Sequence, residues 1–103
     1  MIDEIKDFLN SYLILESKLN RLKEMKKKNP ENNEHYKNEI KNLYKKRNKI
    51  ERKIETVKNE ILREILYNKY ILGKTLEEIS LEINYSKRHT ERLHIKALKE
   101  IKL

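Results

Sequence analysis

Residues 75–103 read TLEEISLEINYSKRHTERLHIKALKEIKL, two apolar-periodic runs divided by a short polar break. Thr75, followed three residues later by Glu78, has the pattern of a capping box, in which two side chains satisfy each other's backbone amides at the start of a helix. Leu76, Ile79 and Ile83 then recur at the spacing of one helix face. A tight polar break follows, Asn84-Tyr85-Ser86. Ser86 can cap a second, longer helix whose apolar face is Thr90, Leu93, Ala97, Leu98 and Ile101. Two helices joined by about four residues make a helix-turn-helix. The exposed start of the second helix is Lys87, Arg88, His89, Glu91 and Arg92, side chains that hydrogen-bond phosphates and base edges. This predicts a DNA-binding regulator rather than an enzyme.

Lys87, Arg88, Glu91 and Arg92 share one face, with Thr90, Leu93, Ala97 and Ile101 opposite. In a helix-turn-helix that N-terminal face enters the major groove. Arginine can read guanine bidentately, glutamate can accept from cytosine, and lysine holds phosphate. From the residues alone, an ordinary solvated face fits the same pattern.

The segment resembles region 4 of bacterial sigma factors, the part that reads promoter DNA. The match runs without a gap from Thr75 to Ile101 and includes TLEEI (75–79), Ser86 and Lys96-Ala97-Leu98. It is more closely similar to small phage regulators of the ArpU/RinA type. There the run from Tyr70 to Ile79, the Asn84-Tyr85-Ser86 turn with Arg88, and the run from Arg92 to Leu98 recur; this resemblance covers roughly residues 57–103. It implies a DNA-binding transcriptional regulator of phage or mobile-element type that also contacts RNA polymerase. Two positions depart from the sigma pattern. Asn84 stands where glycine is usual, and asparagine tolerates the left-handed conformation. Arg88 stands where an acidic residue helps read the promoter element, so sigma specificity is not carried over.

Composition agrees with an all-α chain. One Gly, one Pro and abundant Lys, Glu, Ile and Leu favour helix almost throughout. With 37% hydrophobic and 41% charged residues, thin helical packing with long solvated faces is what the chain can build. The net charge of +8 suits polyanions. It is spread out: residues 86–103 hold six Lys and Arg against two Glu, and residues 1–59 hold sixteen against ten Asp and Glu. Cysteine is absent, which excludes disulfide and thiol chemistry. No apolar run approaches the ~18 residues of a membrane span, and the acidic start lacks a basic signal-peptide region, so a cytoplasmic protein with no membrane association is expected.

In the first half, Ile5, Phe8, Tyr12, Leu15, Leu19 and Leu22 alternate by three and four, the seam of a helix expected over 2–28. Asn29-Pro30 ends it, and 31–34 reads as a polar loop. Tyr36, Ile40, Leu43, Arg47, Ile50, Ile54, Val57 and Ile61 form a second seam with one polar member. Two matched seams joined by a short loop fold most simply as an antiparallel, coiled-coil-like helical hairpin over 1–58, with the helix-turn-helix domain over 59–103. A third helix over 60–72 puts Leu62, Ile65, Leu66 and Tyr70 inward, with Gly73 as its stop. Thr56 or Asn59 could cap it, or the second and third helices could form one long bent helix. Ile2, Leu9, Leu13 and Ile14 lie outside or beside the first seam, and a two-helix unit buries little alone, so a homodimer formed through the hairpin is expected.

Catalytic and metal motifs are missing. His35, His89 and His94 lack ligand spacing and read as surface residues, and the carboxylates interleave with lysines as surface pairs. No cofactor is expected. The candidate contacts to double-stranded DNA are Thr75, Ser86, Lys87, Arg88, His89, Glu91, Arg92 and Lys96. Thr75 is included because helix N-termini hold phosphates. Two other assignments use the same features: a small-terminase-like DNA-packaging component, and a module that binds polymerase without DNA.

Overall fold

The computed structural model describes residues 1–103 as an all-helical chain of five helices without strands. They are α1 (Ile2–Lys28), α2 (Asn33–Glu55), α3 (Glu60–Leu66), α4 (Leu76–Ile83) and α5 (Lys87–Glu100). No helix is long and apolar enough to cross a membrane.

Proline sets the first boundary. Asn29 leaves the helical region (φ −128°, ψ 71°), as a residue before proline must, and its backbone amide donates to the carbonyl of Met25 at 2.9 Å. Pro30–Asn32 make a single 3₁₀ turn and α2 starts at Asn33, inside the loop expected over 31–34. α2 then runs back along α1. Tyr12 Oη donates to Glu51 at 2.6 Å and Arg47 to Glu16, so ascending residues of one helix meet descending residues of the other. Tyr12, Leu15, Leu19 and Leu22 are buried, but on α2 only Ile50 and Ile54 are. Tyr36, Ile40 and Leu43 stay half-exposed, because toward the turn a single helix is all that covers them.

Arg47, the polar member of the second seam, also lies over the Tyr44 ring at 4.7 Å. Its hydrogen bond to Glu16 raises its pKa further, against the cost of partial burial. A polar seam residue with one partner across the interface favours a single register, since a slip would leave both charges unpaired.

Residues 56–59 do interrupt the helix. Thr56 Oγ1 donates to the carbonyl of Lys53 at 2.6 Å, and the Asn59 side chain accepts from the amide of Leu62 at 3.1 Å, ending α2 and starting α3. Arg63 closes the turn by donating to the carbonyl of Val57 at 2.9 Å. The interruption resets the helical phase. Val57 stays buried, but Ile61, placed in the seam by its spacing, is 40% exposed, while Leu62, Ile65 and Leu66 face inward. α3 widens into a π-helical turn over Tyr67–Ile71, where the amide of Leu72 reaches the carbonyl of Tyr67 at 3.1 Å. Gly73, at φ +74°, follows it in the left-handed region.

One apolar cluster joins Leu9, Tyr12 and Leu15 of α1 to Ile50 and Ile54 of α2, Leu62 and Leu66 of α3, Tyr70, and Ala97, Leu98 and Ile101 at the end of the chain. It draws on both sides of residue 58. Leu9 is therefore not a spare apolar residue; it is fully buried, and Leu13 and Ile14 remain exposed. Leu93, which its spacing puts in the core, is only partly buried, because the inward arc of α5 is centred between Thr90 and Ala97 and takes His94 instead.

Truncating Leu9 tests the shared core. Leu9→Ala should cost ~2–5 kcal/mol in urea denaturation, and the chain should still unfold in one transition. Two separate transitions, or an unmoved midpoint, would show that α1 does not hold the C-terminal helices.

Candidate nucleic-acid interface

Local side-chain chemistry builds α4 and α5. Thr75 Oγ1 accepts from the amide of Glu78 at 3.1 Å, and the Glu78 carboxylate accepts from the Thr75 amide at 3.0 Å, the reciprocal pair that the spacing predicts. These bonds hold the Glu78 carboxyl below its ordinary pKa. Asn84 ends α4 in the left-handed region (φ 59°). Ser86 then starts α5: its Oγ accepts from the amide of His89 at 3.1 Å, and its carbonyl accepts from Thr90 Oγ1 at 2.9 Å. Thr75 and Ser86 are thus exposed helix caps.

The cations of α5 divide between two places. Arg88, Arg92 and Lys96 follow each other by one helical turn on the outward face, all exposed. Lys99 continues this row; it is absent from the contacts expected from sequence, although the same spacing points to it. None of the four has an ion-pair partner, for the chain's pairs are His35–Glu39, Glu16–Arg47 and Lys74–Glu82. Lys87 and Glu91 instead turn toward an open cleft between α5 and α1. It has two lobes of about 590 and 550 Å³, both bordered by Asn10, Lys69, Leu76 and Glu91. Lys87 and Thr75 edge the first lobe, and Lys6 and Ile95 the second. Lys6, Asn10 and Lys69 come from elements far from α5 in sequence, and no spacing rule could have placed them there. His89 is half-buried, with its ring edge-on to Tyr85 at 4.9 Å between centroids.

His94 is not a surface histidine. It is 4% exposed, and its Nε2 lies 2.7 Å from Tyr70 Oη. Burial pushes its pKa down to about 4, with repulsion from Lys69 and Lys6 adding to the effect. Burial pushes the Tyr70 phenol up to about 12. Both groups are therefore neutral near pH 7, and the pair is a buried hydrogen bond tying α5 to the turn after α3. No group of three or more His, Asp or Glu side chains is placed to hold a metal ion.

In comparisons with known proteins, no family model, no curated protein and no solved structure matches the chain.

The His94 pair makes stability depend on pH. With the folded pKa near 4 and the unfolded value near 6.5, the unfolded chain binds the extra proton between those limits. His94 should thus cost nothing above about pH 6.5, remove stability progressively as pH falls to about 4, and change nothing further below, for a total of roughly 3 kcal/mol. In urea titrations at several pH values, wild type should lose more stability over this window than His94→Gln. Parallel curves would show that His94 is not held neutral in the core.

Proposed function

We propose that this protein is a sequence-specific, DNA-binding regulator of transcription of phage or mobile-element type, in which α4 and α5 act as a helix-turn-helix and α5 is the reading helix. The observation that carries this reading is the outward row Arg88, Arg92 and Lys96, extended by Lys99. It is a line of exposed cations without internal partners, on a helix whose start is held by the Ser86 cap and the left-handed Asn84 turn. Such a row meets the chemical demands of duplex DNA, with guanidiniums for base edges and ammoniums for phosphates. Ser86, Lys87 and Arg88 lie at the N-terminal end of α5, the end that reaches base edges in this motif. Thr75 at the start of α4, and Lys87, Glu91 and His89 beside the row, complete the proposed contact set.

In this reading α1 and α2 form a helical hairpin that carries the DNA-reading unit and pairs two copies. Ile14, 58% exposed on α1, is the strongest candidate for the contact between copies. Contact with RNA polymerase is proposed on the resemblance to sigma region 4 alone. The proposed activity is binding.

Selection of bound duplexes from random DNA at stated salt tests the reading. Arg88→Ala and Arg92→Ala should each cost ~1–3 kcal/mol on the selected site and relax base preference at one position. Absence of any salt-sensitive duplex binding would replace this reading with a polymerase-binding module. In sedimentation, wild type should run as a dimer and Ile14→Lys as a monomer with unchanged helicity. A wild-type monomer at all concentrations would end the pairing proposal and leave DNA reading intact, whereas a ring of many copies would favour the packaging role.

A further inference from the structure

The charge of this protein is segregated along the chain. Residues 18–53 hold fourteen Lys and Arg against five Glu, and the rest holds eleven against twelve Asp and Glu. Residues 18–53 thus carry a net +9 and the rest a net −1, so the positive charge of the chain resides in the later part of α1 and in α2. Within it, Lys37, Lys41, Lys45, Lys49 and Arg52 are all exposed and recur by four, four, four and three, which puts them on one face of α2 opposite Ile50 and Ile54. The row is about 22 Å long, fifteen residues at ~1.5 Å each.

The fold gives no reason for this row. Like charges one helical turn apart destabilise a helix. None of the five has an ion-pair partner, and the two acidic residues between Lys37 and Arg52 are engaged elsewhere, Glu39 with His35 and Glu51 with Tyr12. A surface that works against its own helix and has no internal partner is explained by an external polyanion.

The chemistry of the face narrows the choice of polyanion. A membrane-surface helix presents large apolar residues beside its cations, and no residue of α2 is among the exposed large hydrophobics. A single-strand binder presents free aromatic rings for stacking, whereas Tyr44 is half-buried with Lys23 and Arg47 over its ring, and Tyr36 is half-buried. A straight row of cations with neither feature suits the phosphates of a duplex, where charge is dense and base identity is not read.

We infer that the outward face of α2, through Lys37, Lys41, Lys45, Lys49 and Arg52, is a second contact for duplex DNA that holds the phosphate backbone without regard to sequence. The partner class rests on the proposed function, but the observation is separate and does not require α5 to read bases. The two surfaces divide the work: α5 selects a site, and α2 raises the affinity of the whole chain for any duplex.

The test is a salt titration of the full chain on a duplex of random sequence, comparing wild type with a variant carrying Lys37→Gln, Lys41→Gln, Lys45→Gln and Lys49→Gln. Between about 50 and 200 mM salt, the slope of log affinity against log salt should become shallower by ~3.6, at about 0.9 for each of the four phosphates left without its lysine. At the low-salt end, binding should weaken at least about tenfold, with the order of preferred sites unchanged. Thermal unfolding should be unchanged or shifted upward, because repulsion is relieved, and Lys→Arg at the same four positions should keep the wild-type slope. An unchanged slope and affinity overturn the inference. So does loss of binding to phosphatidylserine vesicles with duplex binding intact, which would assign the face to a membrane. The Arg88→Ala/Arg92→Ala variant separates the two proposals. If it keeps site preference while the lysine variant loses duplex affinity, α5 is not the reader and the α2 contact stands; the opposite pair of results retains α5 and removes α2.

Discussion

Leu9 sits where the two halves of this molecule meet, and its complete burial is the constraint on which the rest of the structure depends. The first turns of α1 have apolar residues on more than one side. Tyr12 and Leu15 continue the seam that α2 covers, and Leu9 widens it into the cluster shared with Leu66, Tyr70, Ala97 and Leu98. A chain with 37% hydrophobic residues cannot build two thick cores. Placing its one thick core at this junction lets a long two-helix arm and three short helices share it. The distal arm then needs only a thin seam, which is why Tyr36, Ile40 and Leu43 stay half-exposed without exposing the core itself.

The break at 56–59 makes that junction possible. Had α2 continued, Ile61 would have stayed on the seam and Leu62 and Leu66 would have turned away from it. The Asn59 cap lets the chain restart in a new phase, so that α3 lies against α5. The Tyr70–His94 hydrogen bond then joins the turn after α3 to the middle of α5, from within the core. A buried polar pair of this kind contributes little net stability when made and is costly when half-broken, so it favours one packing arrangement over its neighbours. On the proposed reading, it fixes the rotation of α5 and thereby which of its side chains face outward.

The candidate interface follows from the same arrangement. With Thr90, His94, Ala97 and Leu98 turned inward, α5 has to present Arg88, Arg92, Lys96 and Lys99 outward, and Lys87 and Glu91 fall at the margin toward α1. The cleft at that margin brings Lys6, Asn10 and Lys69 beside α5, so cations from three separated segments lie near one surface. In the proposed function the N-terminal helices are therefore more than a spacer. α1 borders α5, and α1 and α2 together carry most of the unpaired positive charge.

What the sequence determined by itself was punctuation. Asn29-Pro30, Thr75 with Glu78, Asn84, Ser86 and Gly73 act where their chemistry predicts, because a cap, a pre-proline residue and a left-handed turn are each decided by atoms within a few residues. The seam of α1 was legible for the same reason, since a regular helix repeats its faces at a fixed period. What only the tertiary structure decided was which side chains are inside near the junction. By spacing Leu9 is spare, yet it is core; by spacing Ile61 is seam, yet it is exposed; and Leu93 and His94 exchange the roles their chemistry suggests. The physical reason is that burial depends on where neighbouring helices lie. A phase reset of a few residues at 56–59 rotates everything after it, and a histidine can enter the core once a tyrosine from another element is there to receive its hydrogen bond.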